Sequence, residues 1–477
     1  VNQKHIPIVQ ALQAHERKQP LSFHVPGHKY GQLQVFEQLP EFQSFLQYDV
    51  TEITGMDDFH SPEGCILEAQ QLLTDLYGTR KSYFLVNGST VGNLAMVMAV
   101  CQEGDTVLVQ RNCHKSIIHA LKLAKLRPVF VGTAEDERTE TAGGVELETI
   151  QKAYRCYGSV KALILTYPTY YGGAASLQEI IEWAKKNGSF VLVDEAHGPH
   201  FILPKPFPES ALVMGADIVV HSAHKMLPAM TMGAYLHVQS EAVPLEELEF
   251  YLQVLQSSSP SYPIMASLDI ARAYLASITE ADILFTVKMR DKAAALFHEK
   301  QIDTVFPDDP LKLVLRKKGY TGYELQAKLE ESGIYTELAD PLQVLCTFPL
   351  LKEGECEFMN QLETKLEICR LEERYMPLSS IKLPVYQEGL IELALPYRLQ
   401  VHCPTEWVTL QEAAGRIAAE TIIPYPPGIP FIMKGERMTA RQAGVLRELL
   451  TQPIHIQGGE QLSKGKLAVF SEAQSNG

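Results

Sequence analysis

The sequence predicts an α/β protein: a large domain built on a mainly parallel, doubly wound sheet, followed by a smaller α+β domain. Three observations carry this. Short continuous apolar runs, among them Phe190–Val193 and Ile218–Val220, alternate with helical patterns, as strands buried on both faces and joined by crossover helices do. Polar clusters stand at the ends of several of these runs, where an open parallel sheet places its ligands. After about Ser257 the rhythm changes to short strands mixed with helices.

In chain order, a short helix and a loop-rich stretch fill residues 1–60, the expected N-terminal segment. The large domain is expected over 61–295. It opens with a helix over Cys65–Tyr77, whose apolar residues Ile66, Leu67, Leu72, Leu73 and Leu76 recur near every 3.6 positions. Strand Tyr83–Val86 then meets helix Gly92–Cys101 through the turn Asn87-Gly88-Ser89-Thr90. Strand Thr106–Val109, helix Ser116–Leu126, strands Pro128–Val131 and Ala162–Leu165, and helix Leu177–Lys186 follow. Strand Phe190–Val193 runs into Asp194-Glu195-Ala196-His197, and strand Ile218–Val220 into His221-Ser222-Ala223-His224-Lys225. Tyr262–Leu284 reads as one bridging helix. The second domain, 296–477, holds strands Leu311–Leu315, Val344–Phe348 and Ile391–Leu395, helices Tyr323–Ser332, Phe358–Leu371, Thr409–Ala419 and Ala440–Leu450, and a rigid turn-rich segment over Tyr425–Pro430.

Composition narrows the function classes. The 477 residues suit two or three domains, with 46% hydrophobic residues to build their cores. A formal charge of −15 disfavours nucleic acid as a partner. No apolar run approaches the roughly 18 residues of a membrane span, and residues 1–18 carry no signal-peptide core. None of the eight cysteines forms a C-x-x-C pair, and several lie in apolar stretches, which fits reduced thiols and a cytoplasmic location.

Four features carry candidate chemistry. The turn Asn87–Thr90 joins a strand to a helix: glycine allows close backbone approach, hydroxyls donate, and the helix start favours an anion, although the same residues also serve as an ordinary cap. Asp194 at a strand end suits a protonated ring nitrogen, a metal or a structural ion pair. Lys225 at another strand end, one strand–helix–strand step away, suits Schiff-base chemistry if enclosed, or a surface position if not. His114 suits stacking on a flat cofactor or the start of a helix. The H-x-x-H pairs His197/His200 and His221/His224 lie near strand ends rather than on a helix, where this spacing does not turn both rings to one side, so no metal site is expected. Neither dinucleotide nor P-loop glycine motifs occur.

Taken together and in order, these segments resemble the Orn/Lys/Arg decarboxylases among pyridoxal-phosphate enzymes of the aspartate-aminotransferase fold (fold type I), and most closely the short Bacillus-type members without an N-terminal wing domain. The resemblance rests on FHVPGHK (Phe23–Lys29), DDFH (Asp57–His60), FLVNGSTVGN (Phe84–Asn93), RNCHKS (Arg111–Ser116), LTYPTYYG (Leu165–Gly172), VDEAH (Val193–His197), SAHKMLP (Ser222–Pro228) and YPPGIP (Tyr425–Pro430). It implies pyridoxal 5'-phosphate as cofactor, with Lys225 as its Schiff-base lysine and Asp194 on the pyridine nitrogen. It further implies His114 on the ring face, Ser89, Thr90, Val91, Ser222 and His224 around the phosphate, and Ala196 and His197 against the ring. Catalysis is assigned to Lys225, His114 and Asp194. The reaction implied is decarboxylation of arginine, lysine or ornithine to a polyamine or its precursor, in a homodimer or larger even-numbered assembly. Carboxylates such as Glu52, Asp57 and Asp58 would meet the distal cation of the substrate. Phe59 and Met232 depart from the usual pattern. Two rival readings are transamination, for which Arg398 would hold the α-carboxylate, and a non-catalytic paralogue that binds the cofactor.

Overall fold

The computed structural model describes residues 1–374, 389–425, 428–451 and 454–471. The chain divides into two compact units. The first comprises Val1–Val100, Leu192–Pro204 and Glu209–Glu280, and the second Cys101–Val191, Lys205–Pro208 and Ala281–Gly477.

In the first unit, strand Lys81–Leu85 pairs antiparallel with Ala234–Val238, which pairs antiparallel with Ile218–His221. The latter runs parallel to the strand ending at Asp194, with Leu192 opposite Ile218. Residues of Ile218–His221 and Ala234–Val238 are buried throughout, as continuous apolar runs require. Strand Ala234–Val238 is an addition to the sequence expectation. His237 interrupts its apolar run, yet it is buried beside Ser82, whose hydroxyl lies 2.8 Å from His237 Nδ1.

Helices cover this sheet. Cys65–Tyr77 forms as expected and stops at Gly78, whose left-handed φ of 61° closes the last turn. Ser89–Val100 lies close against the strands because Gly92 has no side chain: a Cβ there would come within 2.8 Å of Leu85 and Val220. The single helix expected over Tyr262–Leu284 is two, Tyr262–Ala276 and Glu280–Glu299, separated at Ser277–Thr279. The first begins where the Ser261 side chain accepts the Ile264 N–H. Its buried Asp269–Arg272 pair anchors the N-terminus: Asp269 accepts the Ile8 N–H, and Arg272 donates to the Gln3 carbonyl.

The second unit carries the parallel set Ala162–Thr166, Thr106–Gln110 and Arg127–Val131, edged by antiparallel Leu390–Glu392. It also carries an antiparallel four-stranded sheet in the order Asp303–Val305, Lys312–Arg316, Val344–Thr347 and Leu338–Ala339. Helix Gly322–Glu331 starts at a capping box between Thr321 and Glu324. The helix expected over Thr409–Ala419 is absent. Strand Thr405–Thr409 pairs with Lys466–Phe470 there, and turns follow as far as Gly415 at φ 83°. The β-branched and aromatic run Thr405–Thr409 finds a partner more than fifty residues away, which a local helical pattern cannot reveal. Residues 426–427 of the Tyr425–Pro430 segment lie outside the described residues.

Candidate active site

The polar ends of the first unit's strands converge. Asp194, the last residue of its strand, is 4% exposed. Asn93 Nδ2 donates to its Oδ2 at 2.8 Å, and the Ala196 N–H donates to Oδ1 at 3.2 Å. Two donors on a buried carboxylate fix its direction. Asn93 belongs to helix Ser89–Val100 and is itself buried, so the helix that opens with Ser89 and Thr90 also orients Asp194. Its signal in the sequence is one amide in an otherwise apolar stretch, Val91–Val100.

Strand Ile218–His221 ends one residue before Ser222, from which the short helix Ala223–Met226 carries Lys225. Lys225 Nζ lies 3.1 Å from His197 Nε2, which joins the loop after Asp194 to the lysine. The backbone ties the same two loops: Glu195 N–H donates to Val220 O, and Ser222 N–H to Ala196 O. The Ser222 hydroxyl donates to Ser89 Oγ at 2.7 Å. His224 is fixed by its N–H and its Nδ1 on the Gly233 carbonyl, at 3.2 and 3.0 Å.

The turn Asn87–Thr90 is shaped from outside. Gly88, at φ 82°, donates its N–H to Met232 O at 2.9 Å, while Met232 itself stands at φ 78°. Met232, a departure from the usual pattern, therefore contributes its backbone carbonyl to this turn. The hydroxyls of Ser89 and Ser222 stand together at the start of a twelve-residue helix, where backbone N–H groups favour an anion. Val91 is buried behind it.

His114 belongs to the second unit. It caps helix Lys115–Leu123: its Nδ1 accepts the Ser116 N–H at 3.2 Å and lies 2.8 Å from Ser116 Oγ. The preceding Arg111 is buried and donates to the carbonyls of Pro430 and Phe431 and to Glu436.

Behind the strand ends lies a buried layer that the sequence patterns do not single out. His221 Nε2 lies 3.4 Å from Glu195 Oε1, and both residues are fully buried. His237 packs against Tyr77 and His221; burial, then the His221 charge, hold its pKa well below the usual histidine value. Among the described residues, no group of three or more His, Cys, Asp or Glu side chains gathers around a metal position.

The expected substrate carboxylates also belong to the first unit. Asp57 is buried, and its two oxygens accept five backbone N–H groups, from Asp58, Glu63, Gly64, Ile66 and Leu67, at 2.8 to 3.3 Å. It thereby anchors the start of helix Cys65–Tyr77. Asp58 is exposed and accepts from the His60 and Ser61 N–H groups, and Glu52 is exposed. Arg398 is exposed in the short helix Tyr397–Gln400.

Residues 6–308 match the Orn/Lys/Arg decarboxylase major domain, and residues 388–453 the C-terminal domain of the same family. The chain belongs to the Orn/Lys/Arg decarboxylase family. It is thus an enzyme of the carboxy-lyase class. It is 32% identical to an arginine decarboxylase of Bacillus anthracis, over 99% of this chain and 98% of that protein. It is 46% identical to the uncharacterized protein YaaO of Bacillus subtilis, over 98% and 99%. Among solved structures, the constitutive lysine decarboxylase of E. coli superposes with a TM-score of 0.77 at 21% identity, covering 98% of this chain and 82% of that one. That likeness shows the shared fold type I architecture.

Proposed function

We propose that this decarboxylase uses pyridoxal 5'-phosphate to convert arginine, lysine or ornithine to the corresponding amine, a polyamine or its precursor, in the cytoplasm. The observation that carries the reading is the meeting of Asp194, held by Asn93 and the Ala196 N–H, with Lys225, held by His197, beside the Ser89–Ser222 hydroxyl pair. These residues fit the cofactor. The buried carboxylate would suit a cationic ring nitrogen, the amine a carbonyl carbon, and the hydroxyls with the helix start a phosphate.

When bound, the cofactor supplies a sink for the electron pair left on the α-carbon as CO2 departs. The chain supplies the rest. Asp194, fixed by two donors, opposes loss of the ring-nitrogen proton. Ser89, Thr90 and Ser222 would donate hydrogen bonds to the phosphate and locate it, and the Gly88 and His224 backbone bonds hold that cradle still. Lys225 would hold the cofactor through its amine. With His197 at 3.1 Å from its Nζ, it has a partner able to hold or pass a proton, and we assign Lys225 the return of a proton to the α-carbon. His114 is assigned to the ring face, and Ala196 and His197 to its side. Glu52 and Asp58, both exposed, are the carboxylates assigned to the distal cation, since the oxygens of Asp57 are already engaged.

Large apolar side chains exposed between Leu21 and Phe45, among them Phe23 at 92%, Val35 at 68% and Phe42 at 62%, support a homodimer or larger even-numbered assembly that covers them. The test of function is to incubate cofactor-loaded protein with arginine, lysine and ornithine separately. One of them is expected to yield CO2 and its amine in equal amounts. A keto acid product would point to transamination, and failure to bind pyridoxal phosphate would remove both readings.

A further inference from the structure

A second concavity in the first unit runs along its edge strand. Strand Lys81–Leu85 is paired on one side by Ala234–Val238 and stands at the end of the strand order. Along it runs a cavity of about 410 Å³, between helix Cys65–Tyr77 and helix Leu245–Leu255, roofed by the Phe59–Glu63 loop. That volume is within the range of small-ligand sites.

Its walls are built in an unusual way. Gln70 and Gln256 both line it, and each is only 8% exposed. Gln256 Oε1 accepts the Val86 N–H at 2.9 Å, but its Nε2 has no partner among the described residues, and the Gln70 amide has none there at either atom. Neither residue has an unpartnered amide atom shut off from solvent, so these amide groups open onto accessible space, where water or a ligand satisfies them. Phe59, Leu67, Phe84 and Leu252 supply apolar surface. The charges are those of Lys81, Glu249 and Glu63. Lys81 is already spent on Glu249, which also accepts the Tyr83 hydroxyl at 2.7 Å. The Glu63 carboxylate at the rim is exposed and has no side-chain partner among the described residues. The remaining field is negative, so an anion is repelled, and a cation gains both a carboxylate and the Gln70 carbonyl oxygen.

We infer that this cavity binds a small organic cation with an apolar stem, an alkyl amine or alkyl guanidine, through Gln70 within and Glu63 at the rim. The proposed decarboxylation would make such cations, and in that respect alone the inference rests on that reading. The wall is also bonded to the cofactor turn. Gln256 holds the Val86 N–H, Ser257 N–H donates to Asn87 Oδ1 at 3.5 Å, and His60 Nε2 lies 3.0 Å from Ser257 O. A cation filling the cavity therefore fixes Gln256 and, through Val86 and Asn87, slows cofactor release from the turn that follows.

The test is equilibrium dialysis of the cofactor-loaded full chain with 1,4-diaminobutane and 4-aminobutylguanidine on wild type, Gln70→Leu and Glu63→Ala, and with arginine on the same three proteins carrying Lys225→Ala, which leaves the amino acid unconsumed. Wild type is expected to bind the two amines at a class of sites that Gln70→Leu weakens about 10-fold and Glu63→Ala about threefold. CO2 release without added amine should stay within about twofold in both variants, because neither residue touches the strand-end cluster. Arginine should bind this class more weakly than the amines, since its carboxylate meets Glu63. Tighter binding of arginine would make the amino acid, not the product, the cation held. Amine binding that is the same in all three proteins overturns the site. Binding that leaves the rate of cofactor release unchanged overturns the coupling. Absence of CO2 from every basic amino acid, with Gln70-dependent amine binding intact, would remove the decarboxylase reading and leave the site standing.

Discussion

The first unit presents two polar concavities that differ in one respect. At the strand ends, Asp194, Ser222, His224 and Lys225 each have a protein partner that fixes them. Along the edge strand, Gln70 has none among the described residues, and Gln256 has half of its amide engaged. A site that must hold a reactive geometry through each turnover is preorganised by its own bonds. A site that only has to bind leaves its polar groups open for the ligand. The two concavities therefore predict opposite responses to mutation.

The largest effect is expected at the strand ends. Asp194→Asn removes the charge but keeps the shape, and should lower kcat by roughly 10²-fold or more, with cofactor absorbance confirming that the protein is still loaded. Asn93→Ala acts through Asp194, so it should cost less, about 10-fold in kcat, and Asn93→Asp should not restore the loss, because it sets a second carboxylate against the first. Equal losses from Asp194→Asn and Asn93→Ala would mean that orientation, not charge, is what matters.

Packing should come next. Gly92→Ala puts a Cβ 2.8 Å from Leu85 and Val220, so stability should fall by about 1–3 kcal/mol in thermal unfolding, and cofactor affinity should fall with it as the Ser89–Thr90 turn is pushed outward.

The buried layer behind the site gives a pH dependence. His237 is held neutral in the folded protein, with a pKa below the unfolded value of about 6.5. Below that pH the unfolded chain binds a proton that the folded chain refuses. Stability present at neutral pH is then lost as pH falls, by up to about 1.4 kcal/mol per pH unit for this group. Melting temperatures measured between pH 7 and pH 5 should show the decline, and His237→Gln should flatten it.

The smallest effect belongs to the edge cavity. Gln70→Leu breaks no hydrogen bond, so stability should move by less than about 0.5 kcal/mol. A loss of several kcal/mol would mean that its amide is already satisfied and would erase the contrast between the two concavities.

Legibility in the sequence follows the same division. Strands buried on both faces appear as unbroken apolar runs, and the residues that end them must meet solvent or ligand, so the chain itself marks out Asp194 and Lys225. Asn93 is harder to see, because its role depends on a carboxylate a hundred positions away. Strand Ala234–Val238 is hidden by His237, a polar residue in an apolar run whose Nδ1 finds Ser82 only across the sheet. Asp57 reads as a candidate for substrate because nothing local says that five N–H groups of the next turn will fold onto it. Gln70, on helix Cys65–Tyr77, and Gln256, just past helix Leu245–Leu255, carry no local mark, and it takes the edge strand and the Phe59–Glu63 loop to enclose them. Thr405–Thr409 and Lys466–Phe470 are strands only through each other.

The most direct test of the central claim compares wild type with Lys225→Ala, both supplied with pyridoxal phosphate, for CO2 and amine released from arginine, lysine and ornithine. Wild type should release the two products in equal amounts from one of these amino acids. Lys225→Ala should release neither at a measurable rate while unfolding at a similar temperature. Decarboxylation persisting in Lys225→Ala, or a wild type that releases no CO2 from any of the three, would contradict the assignment.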